Sequence, residues 1–152
     1  MALETTIAVL RQAPVLQLFE AEALRVIANV ADVRRLRPGE ILFRQGDRSD
    51  GGYVVTSGSV AVGREGDEEA AALLGPGSLI GELALFLRMQ RPATAMAQEP
   101  SSVIRISPTL MKRVLQEYPS AAEGMAEVLC RDLEGVTAGL ARVEQLFAEP
   151  AA

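Results

Sequence analysis

Three residues in the middle of the chain suit the binding of an anion: Gly81, Glu82 and Arg91, all within the segment GELALFLRMQRPAT. A short apolar strand, a glycine and then good helix formers predict a strand–glycine–helix junction. The first N–H groups of a helix have no partner within it, and with the helix dipole they favour a bound anion. Gly81 would let a ligand approach the backbone, and the amides of Leu83 and Ala84 could donate to it. The segment therefore predicts a phosphate site.

The two charged side chains of this segment suggest contacts with two parts of one ligand. A carboxylate at Glu82 would repel a phosphate, but it accepts a strong hydrogen bond from a sugar hydroxyl such as a ribose 2′-OH. Arg91 can fork onto two phosphate oxygens, which a lysine would contact only as a point charge. Each residue also has an ordinary interpretation: a solvated first-turn glutamate, and a surface arginine before a strand.

The composition excludes several classes of function. The chain has one cysteine, Cys130, and no histidine, so it cannot form an intramolecular disulfide, a metal site built on imidazole or several thiolates, or a Ser–His or Cys–His pair. We therefore predict a protein that is not an enzyme and needs no cofactor or metal. The net charge of −5 gives no positive field toward nucleic acid or an anionic membrane, and no apolar run reaches the length of a membrane span. A cytoplasmic location is the default expectation.

The elements that would position the anion site fall into three stretches of a single domain, residues 1–152. Residues about 5–30 have apolar side chains at helical spacing, and Pro14 divides them into two short helices. Residues about 33–107 are β-rich, with turn residues every 8 to 12 positions, which suggests a sandwich or barrel. Eight apolar runs predict eight strands, in VRRL, EILF, YVVT, SVAVGR, AAALL, SLI, ATAMA and SVIRIS.

The third stretch, residues about 108–148, predicts a pair of C-terminal helices, the second of them long. Ser107 can cap the first helix, with Pro108 at its first position. The second carries an apolar stripe in alternating steps of three and four, at Leu133, Val136, Leu140, Val143 and Phe147. The stripe fits either packing against the β-rich core or pairing with a second copy of the helix, and we favour a homodimer.

Four segments together make the chain resemble the cyclic nucleotide-binding domain family. They are LRPGEILFRQGD, YVVTSGSVAV, GPGSLIGE and GELALFLRMQRPAT, the last with a ten-residue step from Gly81 to Arg91. The resemblance covers roughly residues 15–147. It implies an α+β, mainly β fold: an eight-stranded antiparallel β-roll, a jelly-roll-like barrel, flanked by N-terminal helices and the C-terminal helix pair.

The same resemblance implies a role for each residue of the site. Glu82 would hold the ribose 2′-hydroxyl, Arg91 the cyclic phosphate, and Gly81 would shape the turn. The remaining phosphate oxygens would be bound by the amides of Leu83, Ala84 and Ala93, the purine would face Val62, Ala71 and Ala72, and a lid helix would bring Thr137 to the base.

The residue after Arg91 departs from the family pattern. Many members have serine, threonine or alanine there, whereas this chain has Pro92, which lacks both a hydroxyl and an N–H donor. One phosphate hydrogen bond, worth about 1.5–3 kcal/mol to a charged acceptor, is then missing. Guanine-selective members commonly use threonine at this position, so Pro92 favours cAMP over cGMP.

The resemblance also sets expectations about signalling. The chain stops at Ala152, where the transcription factors of the family continue into a DNA-binding domain, so we expect no contact with nucleic acid. The module would be a stand-alone receptor for an unknown downstream protein, or a part of a longer chain, and would signal through movement of its C-terminal helix. The alternative is a degenerate, ligand-free member that serves as a docking or dimerisation domain.

Overall fold

A computed structural model describes residues 3–66, 71–122 and 124. Three α-helices lie in this part of the chain: α1 (Leu3–Leu10), α2 (Ala21–Val30) and α3 (Pro108–Glu117). Eight strands lie between α2 and α3: β1 (Asp32–Leu36), β2 (Ile41–Phe43), β3 (Gly52–Ser57), β4 (Val60–Gly63), β5 (Ala72–Leu74), β6 (Leu79–Ile80), β7 (Thr94–Ala97) and β8 (Ser101–Ile106). Short 3-10 turns occur at Leu16–Leu18, Leu83–Leu85 and Pro119–Ala121. The eight strands confirm the eight predicted runs.

Local signals in the sequence explain where the helices begin and which face they bury. Helix α3 begins after Ser107, whose Oγ accepts a hydrogen bond of 3.1 Å from the N–H of Leu110, and Pro108 occupies its first position. Helix α2 buries Ala23, Leu24 and Ile27, which lie on one face at helical spacing.

The strands form two separate antiparallel sheets. The first sheet has the order β1-β8-β3-β6, and the second sheet has the order β2-β7-β4-β5. The expected jelly-roll-like arrangement is present, but the described strands do not close into one barrel. Three of the four edge strands have three residues or fewer (β2, β5 and β6), which leaves little backbone to continue a ladder from one sheet into the other.

Two apolar clusters hold these layers together. The first lies between the helices and the outer face of the first sheet, where Val54 and Ile104 pack against residues such as Leu24. The second lies between the two sheets and includes Tyr53 and Val55. Strand β3 is thus buried on both faces, because alternate residues enter different clusters.

The long second C-terminal helix, its stripe from Leu133 to Phe147, Thr137 and Cys130 lie outside the described residues. None of the described helices combines the length and the apolar composition that crossing a membrane requires.

Candidate functional site

The site begins at Gly81, directly after β6, and this position requires glycine for two reasons. Its φ of +79° lies in the left-handed region that residues with a Cβ avoid. A Cβ added there would lie 2.8 Å from Nη1 of Arg91 and 3.3 Å from Cβ of Ala84. The backbone at Gly81 therefore makes room for the guanidinium of Arg91, ten residues further along the chain.

The segment after Gly81 is a single 3-10 turn, Leu83–Leu85, and not the start of a longer helix as its sequence suggests. The N–H of Ala84 donates to the carbonyl of Gly81 at 3.0 Å. Ala84, Leu85 and Phe86 are all buried, so packing draws the chain inward after one turn. Of the three amides expected to bind phosphate, those of Leu83, Ala84 and Ala93, the amide of Ala84 is thus engaged within the turn.

Arg91 is buried, with only 3% of its surface exposed. Its Nη2 donates to the carbonyl of Gly51 at 2.7 Å and to Oδ1 of Asp50 at 3.2 Å. Its Cζ lies 4.1 Å from the ring centroid of Phe43 and 5.5 Å from that of Tyr53. Burial lowers the pKa of Arg91, and the negative neighbours, including Asp50, oppose that effect.

One donor of this guanidinium has no acceptor in the structure. The Nε atom of Arg91 is buried and makes no hydrogen bond. A buried N–H donor without a partner costs about 1–3 kcal/mol. The guanidinium is therefore incompletely satisfied by the contacts that hold it.

Hydrogen bonds to the loop that precedes β3 hold the backbone of Arg91 in place. The N–H of Arg91 donates to the carbonyl of Asp47 at 2.7 Å, and its own carbonyl accepts from the N–H of Gly46 at 2.8 Å. Both main-chain groups of the arginine are therefore paired before any ligand arrives.

Asp50 connects Arg91 to two other groups. Its Oδ1 accepts from the hydroxyl of Tyr53 at 3.0 Å, and its main-chain carbonyl accepts from Nη1 of Arg105 at 3.0 Å. Burial raises the pKa of Tyr53, and the charge of Asp50 raises it further. Asp50 is therefore the carboxylate that a ligand phosphate would have to replace at Arg91.

Sequence reasoning missed Asp50, Phe43 and Tyr53. Phe43 lies in the segment LRPGEILFRQGD, and Asp50 and Tyr53 follow it closely, but spacing does not show which of them face Arg91. Asp47 is an equally plausible partner by sequence, yet its Oδ2 accepts from the N–H of Arg44 at 3.0 Å within a turn.

A cavity of about 430 Å³ brings most of the predicted site residues together. Its lining consists of Gly81, Glu82, Leu83, Ala84, Met89, Arg91 and Pro92. Ala93 is half-buried and lies beyond this lining. The volume suits a small organic ligand, since such pockets measure about 300–1,000 Å³.

The three predicted purine-facing residues divide between two faces of the second sheet. Val62 and Ala72 are direct cross-strand partners, and Val62 packs against the cluster between the sheets. Ala71 instead lines a cavity of about 510 Å³ with Gly63 and Met96, on the outer face. The structure therefore brings Val62 and Ala72 together and separates Ala71 from them.

Comparison with known proteins identifies the class. Residues 33–118, more than half of the chain, match the cyclic nucleotide-binding domain family, and the chain belongs to that family. It is 36% identical over 104 residues to the cyclic AMP receptor protein of Thermus thermophilus, covering 66% of this chain and 48% of that protein. It is 31% identical over 96 residues to a cAMP-dependent protein kinase regulatory subunit of Yarrowia lipolytica, covering 63% of this chain and 25% of that protein.

A solved structure agrees with the fold. The N-terminal domain of a transcriptional regulator from Streptomyces coelicolor superposes with a TM-score of 0.74 at 28% identity, covering 86% of this chain and 92% of that one. The chain spans less than half the length of the two relatives named above. Those relatives are a receptor and a regulatory subunit.

Proposed function

We propose that this chain is a non-enzymatic cyclic nucleotide sensor that binds cAMP in preference to cGMP. The observation that carries the proposal is Arg91, a buried guanidinium that lines a ligand-sized cavity and has an Nε–H without an acceptor. A phosphate offers several acceptor oxygens, and charge-assisted bonds to arginine are among the strongest hydrogen bonds in proteins.

Glu82 in the cavity lining, and two apolar residues of the second sheet outside that lining, fit the rest of a cyclic nucleotide. Glu82 lines the same cavity as Arg91, so a ribose bound beside the phosphate would lie within reach of its carboxylate. Val62 and Ala72, paired across β4 and β5, offer an apolar surface for a purine. Two relatives whose names contain cAMP, together with Pro92, support the adenine base.

Isothermal titration calorimetry with cAMP, cGMP and 5′-AMP tests this function. We expect cAMP to bind more tightly than cGMP, and 5′-AMP to bind weakly. Arg91→Lys should weaken cAMP binding at least about tenfold, because lysine keeps the charge but loses the planar fork. Arg25→Lys, at an exposed position on α2, is the matched control and should bind as the wild type does.

A thermal shift assay provides the second measurement. At about 100 times its Kd, a ligand that binds only the folded protein stabilises it by about 2.7 kcal/mol. A melt of Arg91→Lys without ligand shows whether the variant is folded. Equal cAMP affinity in wild type and folded Arg91→Lys would contradict the proposed role of Arg91.

One observation favours the alternative of a ligand-free docking domain. Asp50 already pairs with Arg91, and the turn already uses the amide of Ala84. The segment GELALFLRMQRPAT, which we call the cassette, therefore has these polar groups paired without ligand. That alternative predicts no stabilisation by cAMP, cGMP or a cyclic dinucleotide at millimolar concentration. A positive shift with any of the three decides for the sensor.

We further propose that binding is transmitted through the C-terminal helix to a homodimer contact and a downstream protein. The apolar stripe from Leu133 to Phe147 supports this step, and Thr137 would contact the base. Analytical ultracentrifugation of the full chain with and without cAMP tests it. Leu140→Asp should shift the chain toward monomer, and Thr137→Ala should reduce the effect of cAMP on the equilibrium.

A further inference from the structure

Two exposed arginines, Arg48 and Arg88, lie close together beside the cavity that Gly81 and Arg91 line, and neither belongs to that lining. Neither forms an ion pair with a carboxylate among the described residues. Ion pairs of the described chain instead use other arginines, such as Arg105. We call the surface formed by Arg48 and Arg88 the basic face.

The basic face is elongated. Arg48 and Arg88 both line two cavities, which therefore adjoin each other, of about 310 and about 240 Å³. The larger cavity extends to the hydroxyl side chains of Ser107 and Thr109. The smaller continues in the other direction, along Gly46, Met89 and Gln90. A surface of this shape fits an extended chain better than a single small ion.

The charge of the basic face comes mainly from its two unpaired guanidiniums. Arg105 and Asp50 also line the larger cavity, but both are already paired. Arg105 pairs with Asp32, and Asp50 pairs with Arg91 and lies 3.7 Å from Nη1 of Arg105 through its Oδ2. The chain as a whole has a net charge of −5. The basic face is thus a local concentration of unpaired positive charge on an acidic chain, and an acidic partner is complementary to it.

The backbone under the basic face is rigid. The N–H of Ser49 donates to the carbonyl of Met89 at 2.7 Å, and Oγ of Ser49 accepts from the N–H of Met89 at 2.9 Å. Arg48 and Gln90 form an antiparallel bridge beside these bonds. The two guanidiniums therefore project from adjacent, hydrogen-bonded segments, which reduces the entropy lost on binding.

We infer that the basic face docks an acidic, extended segment of a partner protein. Arg48 and Arg88 contact its carboxylates, and Ser107 and Thr109 donate hydroxyl hydrogen bonds to it. This docking does not require a cyclic nucleotide, so it stands or falls separately from the proposed sensor function.

Fluorescence anisotropy with a labelled peptide of about ten glutamates tests the inference, at about 50 mM and about 200 mM salt, because screening weakens contacts between exposed charges. The wild-type chain should bind the peptide, and more weakly at the higher salt. The double variant Arg48→Glu/Arg88→Glu should bind at least about tenfold more weakly, since two attractive contacts become repulsive.

The control is Arg11→Glu/Arg25→Glu, which changes the net charge equally at two exposed positions outside the basic face, one in the turn after α1 and one in α2. It should lose less than about twofold in affinity, and thermal melts confirm that both variants fold. Equal losses in the two double variants, or no binding by the wild type, would overturn the inference. Displacement of the peptide by inorganic phosphate at an equal concentration of negative charge would also overturn the inference, because it indicates a site for a small anion. Binding to phosphatidylserine vesicles but not to the peptide would overturn it as well.

Discussion

The two sheets differ in what lies against their outer faces. The outer face of the first sheet is buried under the helices, where Val54 and Ile104 are almost fully inaccessible. The outer face of the second sheet reaches solvent at Leu73 and Met96, which are 65% and 37% exposed. The first sheet thus carries most of the packing that stabilises the fold, and the second carries Val62 and Ala72, the pair that we propose to face a purine. Arg91 lies where they meet.

The largest expected effect is the difference in stability lost when one apolar side chain is truncated on each of the two outer faces. Ile104→Ala on the first sheet should lower the free energy of unfolding by about 2–5 kcal/mol, because it leaves a cavity under the helices. Leu73→Ala on the second sheet should change it by no more than about 0.5 kcal/mol, since the side chain is mostly solvated. Urea denaturation measures both, and equal losses would show that the second sheet is also covered in solution.

Gly81→Ala tests how closely the end of β6 is fitted to Arg91. The left-handed backbone costs a residue with a Cβ about 1–2 kcal/mol, and the new Cβ would displace Nη1 of Arg91. We expect that loss of stability together with at least about tenfold weaker cAMP binding.

Gly39→Ala is the matched control for that variant. Gly39 has a φ of +82°, and a Cβ there would meet nothing within 4 Å. It should therefore cost similar stability and leave ligand affinity unchanged. Calorimetry in which both variants lost affinity equally would trace the effect to backbone strain and not to Arg91.

A smaller effect on cAMP affinity tests which sheet positions the guanidinium of Arg91. Phe43 belongs to the second sheet and Tyr53 to the first, and Arg91 lies closer to the ring of Phe43. Phe43→Leu removes a cation–π contact worth about 0.5–2 kcal/mol, so cAMP affinity should fall about 2- to 30-fold. Tyr53→Phe keeps its ring and should lose less. The reverse order in calorimetry would assign the arginine to the first sheet.

The smallest effect concerns alkaline pH. The folded-state pKa of Tyr53 is raised above the ordinary value of 10.0, so the stability due to its protonated form is fully present below pH 10. That stability is lost as the pH rises through the folded-state pKa, by at most about 1.4 kcal/mol per pH unit for one proton. Urea denaturation should show a shallower decline above pH 10 for Tyr53→Phe than for the wild type.

The sequence predicted those parts of the molecule that depend on local signals. Turn residues separate all eight strands, Ser107 and Pro108 mark the start of α3, and the step from Gly81 to Arg91 identifies the cavity lining. Contacts between distant residues were not predictable. Arg91 and Asp50 are 41 residues apart in sequence, and only the packing of the sheets brings them into contact. Strand register, and not sequence spacing, places Ala71 on the opposite face of the sheet from Ala72.

Pro92 follows an arginine whose main-chain N–H and carbonyl are both already bonded to the loop at Gly46 and Asp47. The pyrrolidine ring fixes φ of Pro92 and restricts the backbone of Arg91 as well. Because proline has no N–H donor, one hydrogen bond to a ligand is missing and its enthalpy is lost. The backbone at this end of the cassette is already restricted, however, so it has little conformational entropy to lose when a ligand binds. The proposed binding of a phosphate there would cost less entropy than in a chain with serine at this position.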